Sequence, residues 1–160
     1  MNIIAALDSA NGIGKDGKLL CRIPSDLKRV KLLTLGKTIV MGYNTLVSLP
    51  RSAPLPDRRN IVLTSKHIDI PGADVCHGLD ELNACLADTP SEDVFVFGGQ
   101  SVYTQLLPEC SRMYLTKING VFGADAFFPP YDESEWKLVY KSETLCENGV
   151  SFNFTEYEKN

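Results

Sequence analysis

Asp93-Val94-Phe95-Val96-Phe97-Gly98-Gly99-Gln100-Ser101-Val102-Tyr103 is the stretch on which the fold turns. Asp93 to Phe97, β-branched and aromatic, reads as a strand with no wet face. Two glycines end it, and Val102, Tyr103, Leu106 and Leu107 then recur at helical spacing over Ser101 to Leu107. A strand that is apolar on both faces needs cover on both sides, which is the habit of parallel sheets flanked by helices. The passage from strand through Gly-Gly into helix leaves backbone amides free at the strand's carboxyl end, where open α/β sheets bind ligands.

Working outward, the same pattern recurs. Asn2 to Asp8, Thr38 to Met41, Asn60 to Thr64 and Met113 to Ile118 read as further buried strands, and helical patterns fall at Ser25 to Leu35 and Leu79 to Ala87. Thr38-Ile39-Val40-Met41 runs into Gly42 and a helical turn, and Ile61-Val62-Leu63 into Thr64-Ser65-Lys66, so three strand ends together suit an extended nucleotide cofactor. Towards the end of the chain the period changes to two. Trp136 to Tyr140 and Val150 to Phe154 alternate around Glu147-Asn148-Gly149, a hairpin signal. The expected architecture is a central, mostly parallel α/β sheet with flanking helices and an antiparallel C-terminal hairpin at one edge.

The 160 residues carry no repeat or low-complexity tract, so a single domain over residues 1–160 is expected, large enough for a core without staples. With 16 basic against 20 acidic residues the net charge is −4, and the densest basic cluster is Lys28-Arg29-Val30-Lys31, so no nucleic-acid partner is expected. The opening Met1-Asn2-Ile3-Ile4-Ala5-Ala6-Leu7-Asp8 lacks a basic flank and meets a carboxylate early, so neither a signal peptide nor a membrane span is expected there. Five cysteines with no Cys-x-x-Cys pair, and only His67 and His77 as histidines, suggest reduced thiols in a cytoplasmic protein with no metal site. A monomer is the expected state.

Gly12-Ile13-Gly14-Lys15-Asp16-Gly17 matches the G-x-G-x-x-G string after a strand. A dinucleotide turn needs a helix to begin within those glycines, and Lys18 to Pro24 leaves no room for one, so a pliable loop is expected, either a lid over a site or an ordinary surface turn. Asp26 stands in the first turn of its helix, sharing a face with Val30 beside Leu27. An acidic residue there serves as a dipole partner or cap, or, drawn into an apolar cleft, as a carboxylate of raised pKa suited to acid chemistry.

Taken in order, Ile4-Ala5-Ala6-Leu7, Asn11-Gly12-Ile13-Gly14, Ile23-Pro24-Ser25-Asp26-Leu27-Lys28, Met41-Gly42, Leu55-Pro56-Asp57-Arg58-Arg59-Asn60, Phe97-Gly98-Gly99, Val102-Tyr103, Tyr114-Leu115-Thr116 and Asp125-Ala126-Phe127-Phe128-Pro129 resemble bacterial dihydrofolate reductase over nearly the whole chain. The resemblance implies that family's single-domain fold with an eight-stranded sheet. It also implies NADPH-dependent reduction of 7,8-dihydrofolate to tetrahydrofolate, with hydride passing to C6 and a proton to N5, in one-carbon metabolism. Asp26 is implied as the pterin-binding carboxylate, supported by Thr116, with water as final proton donor. Ala5, Ala6, Leu27, Val30, Leu49 and Phe97 are implied to line the folate cleft, and Arg58 to clamp the substrate's glutamate carboxylate. For NADPH the resemblance points to Gly42, Asn44 and Thr45, to Thr64, Ser65 and Lys66, and to Gly98, Gly99, Gln100, Ser101, Val102 and Tyr103, with a cis Gly98–Gly99 bond. Ala6 is shared by the two ligands. Ile13 to Leu19 is implied as a mobile loop closing over the nicotinamide, with Ile13, Gly14 and Leu19 nearest it. Antifolate inhibitors are implied ligands.

Four positions depart from the family pattern. Cys21 stands where the family carries Trp and Val30 where many members carry Phe, which forgoes aromatic contact and implies reduced trimethoprim sensitivity. Tyr43 and Ser101 replace arginines common near the adenosine phosphates, a loss that Lys66 with Thr64 and Ser65 compensates if NADPH remains preferred over NADH. Three alternatives stay open: a riboflavin-pathway pyrimidine reductase of the same fold, a catalytically weak folate- or nucleotide-binding domain, and a flavodoxin-like regulatory domain.

Overall fold

The computed structural model describes all 160 residues. The strands are β1 (Asn2–Leu7), β2 (Gly12–Lys15), β3 (Lys18–Leu19), β4 (Thr38–Gly42), β5 (Arg59–Leu63), β6 (Ala73–Cys76), β7 (Val94–Gly98), β8 (Arg112–Ile118), β9 (Ala126–Phe127), β10 (Trp136–Lys141), β11 (Leu145–Glu147) and β12 (Val150–Lys159). The α-helices are α1 (Pro24–Thr34), α2 (Tyr43–Ser48), α3 (Leu79–Cys85) and α4 (Gln100–Leu106). No helix is long and apolar enough to cross a membrane.

Eight strands run side by side in the order β10-β12-β8-β1-β7-β4-β5-β6, and β11 joins β12 to make a sheet of nine. From β8 to β6 every pairing is parallel, whereas β12 runs antiparallel to β8 and β10 antiparallel to β12. Alternate residues of each central strand feed two cores. Ile3, Val40, Ile61 and Val96 join Leu82, Val102 and Leu106 on one side, while Ile4, Ile39, Met41, Val62 and Phe95 pack with Leu46, Val30 and Leu33 on the other. That two-sided burial is why the strands are apolar throughout, and each such side chain contributes roughly 1.5–3 kcal/mol of transfer free energy.

Three features differ from the sequence expectation. First, the sheet has nine strands rather than eight, because Leu145–Glu147 pairs with β12 beside the eight-strand path, and the short, half-exposed Ala73-Asp74-Val75-Cys76, unread as a strand, pairs in parallel with β5 as the edge strand of that path. Second, the C-terminal hairpin is not a simple pairing of Trp136 to Tyr140 with Val150 to Phe154. Asn148 and Gly149, at φ 50° and 76°, make a two-residue turn, which forces Glu147 directly opposite Val150. Leu145 to Glu147 therefore take the near end of β12, and β10 pairs with its far end, Trp136 opposite Lys159. Third, the glycine-rich segment begins no helix, as expected, but it is not an irregular loop either. It forms the β2–β3 hairpin, and β9 completes a second, three-stranded sheet. Asp125 ties that hairpin down, donating its N–H to Gly14 O at 3.0 Å and accepting the Asp16 N–H at 3.0 Å.

Candidate active site

The three strand-end segments lie together at the carboxyl edge of the parallel strands, because β4, β5 and β7 point the same way and run out into Gly42, Thr64 and Gly98-Gly99, whereas Arg58 enters β5 at the opposite, amino edge. Between these ends and the β2–β3 hairpin opens a cavity of about 820 Å³. It takes in Ala6, Ile13, Gly14 and Leu19, then Gly42, Asn44 and Thr45, then Thr64, Ser65 and Lys66, and finally Gly99, Gln100, Ser101, Val102 and Tyr103. Of the cofactor residues named from the sequence, only Gly98 is outside the lining.

Gly98 instead turns the chain. Its φ is 95°, the Gly98–Gly99 peptide is cis, and a Cβ on it would fall 2.6 Å from Cζ of Tyr103. The Tyr103 ring is buried there, with its hydroxyl within bonding distance of the carbonyls of Ile4 at 2.7 Å and Phe97 at 2.9 Å. One phenol thus bridges β1 and β7 beneath the cavity, and burial, together with the charge of Asp26, drives its pKa far up. At Gly99 a Cβ would meet only Thr45 Oγ1, at 3.6 Å.

Asp26 and Thr116 come together beside this cavity. Thr116, buried in β8 and in register with Ala6 of β1, donates from Oγ1 to Asp26 Oδ1 at 2.6 Å. Asp26 caps no amide of its own helix, whose N-cap Ile23 makes no side-chain cap bond; Glu147 accepts the Ser25 N–H at 3.0 Å and also the Ser25 hydroxyl. The cap reading of Asp26 is therefore replaced by a carboxylate directed at a buried hydroxyl. Burial raises its pKa above the ordinary value, while the Thr116 hydrogen bond and the charge of Arg29 pull the other way.

The residues named for folate are more dispersed. Ala6 and Phe97 line the large cavity; Ala5, Leu27, Val30, Leu49 and Arg58 do not. Val30, Leu49 and Phe97 pack against the core cluster of Ile4, Ile39, Met41 and Phe95, and Ala5 against the opposite core. Leu27 is 39% exposed. The Arg58 guanidinium donates from Nε to Pro56 O at 2.9 Å and from Nη1 to Thr34 Oγ1 at 3.3 Å, which leaves donors of its fork unpaired within the protein. Cys21 packs near Ile23, Ile118 and Phe152, and burial pushes its thiol pKa up, with the Asp8 charge adding to the effect.

Lys15, Gly17 and Lys18 line the cavity as parts of the expected Ile13 to Leu19 loop; sequence reasoning missed Ser48, Leu63, His77, Gln105, Asp125 and Ala126 as cavity residues, and Tyr43 was read only as a lost arginine. His77 follows β6, and Cys76 stands opposite Leu63, so that histidine lies beside Thr64 and stacks on His67 with ring centroids 4.6 Å apart. Recognising Ala73 to Cys76 as a strand was the signal needed. Lys66 stands over the Tyr43 ring, its Nζ 4.0 Å from the centroid.

A family model for dihydrofolate reductase matches residues 1–159. The chain is 40% identical to dihydrofolate reductase of Bacillus subtilis over 163 aligned residues, covering 99% of this chain and 94% of that one. It is 38% identical to the Staphylococcus aureus enzyme, covering 89% and 86%. A solved structure of dihydrofolate reductase from Enterococcus faecalis, complexed with NADP(H) and RAB-propyl, superposes with a TM-score of 0.85 at 32% identity, covering 99% of this chain and 95% of that one. These likenesses set aside the pyrimidine reductase and flavodoxin-like alternatives. With its parallel sheet, its cavity at the strand ends and its half-buried carboxylate at the start of the first helix, the chain belongs to the dihydrofolate reductase family.

Proposed function

We propose that the chain reduces 7,8-dihydrofolate to 5,6,7,8-tetrahydrofolate with NADPH, and that Asp26 is the group that makes protonation at N5 accessible. The observation that carries this reading is the Asp26–Thr116 contact of 2.6 Å, which keeps an acidic side chain in a largely desolvated place, against the strand next to Ala6 of a cavity of nucleotide size. The cavity suits an extended dinucleotide in shape and donor chemistry. The hydroxyls of Thr45, Thr64 and Ser65, the first amides of α4 and the Lys66 ammonium supply donors along its length, and Gly99 leaves the floor open. When bound there, the reduced nicotinamide supplies the hydride. Asp26 offers its carboxylate to the amino and N3 donors of a pterin, and its negative charge favours a proton at N5, an attraction strengthened where water is excluded. Thr116 fixes the orientation of that carboxylate, and the free donors of Arg58 suit the glutamate carboxylate of the substrate.

The testing experiment mixes the protein with NADPH and dihydrofolate and follows the loss of reduced-nicotinamide absorbance, with NADH in parallel. Turnover is expected. Binding of both ligands without turnover would put a binding domain in the enzyme's place. The net charge of −4 and five free thiols support a cytoplasmic protein with no nucleic-acid partner, and we take it to act as a monomer.

Two predictions concern specificity. Lys66, held over Tyr43, is the nearest substitute for the missing arginines, so Lys66→Met lowers the ratio of kcat/KM for NADPH over NADH by about ten- to a hundredfold, the worth of one charge-assisted hydrogen bond. An unchanged ratio would assign the 2′-phosphate to other residues. Val30 packs near Leu49 and Phe97 with no aromatic ring of its own, so the Cys21→Trp, Val30→Phe double variant binds trimethoprim about tenfold more tightly than the parent. An inhibition constant that stays put defeats this account of reduced sensitivity.

A further inference from the structure

On the face of the sheet that α1 covers, residues two apart on a strand share a side. In register, Phe154 lies opposite Thr116, Glu156 opposite Tyr114, and Glu158 opposite Arg112. Asp26 and Arg29, three residues apart on α1, are neighbours on the helix surface and meet this ladder one rung apart. Asp26 receives the Thr116 hydroxyl, while the Arg29 guanidinium lies over the Phe154 ring, 4.7 Å from its centroid, and donates from Nη2 to Glu156 Oε2 at 3.2 Å. Glu156 Oε1 accepts from Arg112 Nη2 at 2.9 Å, and Arg112 continues to Glu158. Five charges thus alternate in sign from the reacting carboxylate to the surface: Asp26, Arg29, Glu156, Arg112, Glu158.

The Arg29 and Glu156 side chains are only 19% and 20% exposed, so this pair is less screened by water than a surface salt bridge. A guanidinium three residues from Asp26 and free of a partner would hold the carboxylate ionised. Glu156 gives it a partner on the side away from Asp26. Resting on the reading of Asp26 given above, we infer that Glu156 is a positioning residue for the reaction: by clamping Arg29 onto the Phe154 ring it sets how much positive charge reaches the Asp26 carboxylate.

The groups facing Asp26 are Arg29 from its own helix, the Thr116 hydroxyl from β8 and the Tyr103 phenol, whose titration lies far above neutral pH. Those facing Arg29 are Glu156 and Phe154 from β12 and Tyr114 from β8, with Arg112 behind them. Opposite effects follow for two substitutions. Glu156→Gln removes the anion that offsets Arg29, so Asp26 ionises at lower pH. Arg29→Met keeps the aliphatic body over Phe154 and removes the cation, so Asp26 ionises at higher pH.

The test titrates the Asp26 carboxyl carbon by NMR in intact protein labelled with carbon-13 aspartate, assigned with Asp26→Asn, in parent, Glu156→Gln and Arg29→Met. The pH dependence of single-turnover NADPH oxidation with dihydrofolate is recorded in parallel. Midpoints should move down in the first variant and up in the second, each by about half a unit to one unit, and the kinetic midpoints should follow in the same directions. Thermal melts check that both variants fold. Midpoints that stay at the parent value, or that move the same way in both variants, overturn the inference. A parent that oxidises no NADPH would overturn the reductase reading instead, and the titration would still decide whether the ladder acts on Asp26.

Discussion

Asp26→Asn is expected to lower turnover of dihydrofolate by about 10²–10⁴-fold while leaving the fold and NADPH binding intact. The substitution keeps the shape of the side chain and an oxygen able to accept the Thr116 hydroxyl, now at 2.6 Å from Oδ1, and removes the charge. NADPH affinity should hold because Asp26 does not line the large cavity. A substrate already protonated at N5 should recover much of the loss, since what the variant lacks is the anion that favours that proton. In the parent, burial raises the carboxyl above its ordinary range, so activity declines with rising pH along a limb displaced upward from that of a free aspartate. Stability follows the same sign. A carboxyl whose folded pKa is raised contributes most below its unfolded value and loses that contribution as pH rises through the folded one. The variant, free of this cost, should therefore be at least as stable as the parent at neutral pH, and its advantage should vanish on acidification. Stopped-flow rates and thermal melts across pH check both halves, and equal turnover by variant and parent around neutrality would remove Asp26 from the proton path.

How far the sequence foretold this arrangement depends on the range of the interactions involved. The central strands were legible because burial on two sides leaves an apolar run that needs no partner to be recognised: Ile3 and Ile4, Ile39 and Val40, and Ile61 and Val62 each send neighbours to opposite cores. The strand-end turns were legible because Gly42 and Gly98-Gly99 interrupt such runs. By contrast, β6 is four half-exposed residues and β9 only two, too short for a period to show, and both become strands only because an adjacent edge offers backbone partners. His77 went unseen with β6. The pairing of Asp26 with Thr116 joins residues ninety apart, and no local pattern distinguishes it from a first-turn dipole partner. Glu147, which accepts the Ser25 N–H, is equally remote from the helix it caps, so the absence of a cap at Ile23 could not be read as the presence of one elsewhere.

Gly98→Ala should be the most damaging single methyl in the chain, and Gly99→Ala, one residue on, should hardly disturb the fold. At Gly98 the backbone has φ 95°, a region that costs an L residue about 1–3 kcal/mol, and the new Cβ would lie 2.6 Å from Cζ of Tyr103. That ring has nowhere easy to go, being 4% exposed with its hydroxyl against the carbonyls of Ile4 and Phe97. Overpacking of this kind adds roughly 1–3 kcal/mol, so a total loss of about 3–5 kcal/mol and a fall in Tm on the order of 10 °C are expected. Replacing Tyr103 by Ala removes the obstruction, so Gly98→Ala should cost less in that background, and the remainder measures the backbone strain alone. At Gly99 the φ is −73° and the nearest atom to an added Cβ is Thr45 Oγ1 at 3.6 Å, an ordinary contact, so stability should stay within about 1 kcal/mol of the parent. Because Gly99 lines the cavity and Gly98 does not, Gly99→Ala should instead raise the KM for NADPH with little change in Tm. Urea denaturation with cofactor titration separates the two effects. Similar melting temperatures for the two variants would mean that the Tyr103 ring and the turn above it both yield freely.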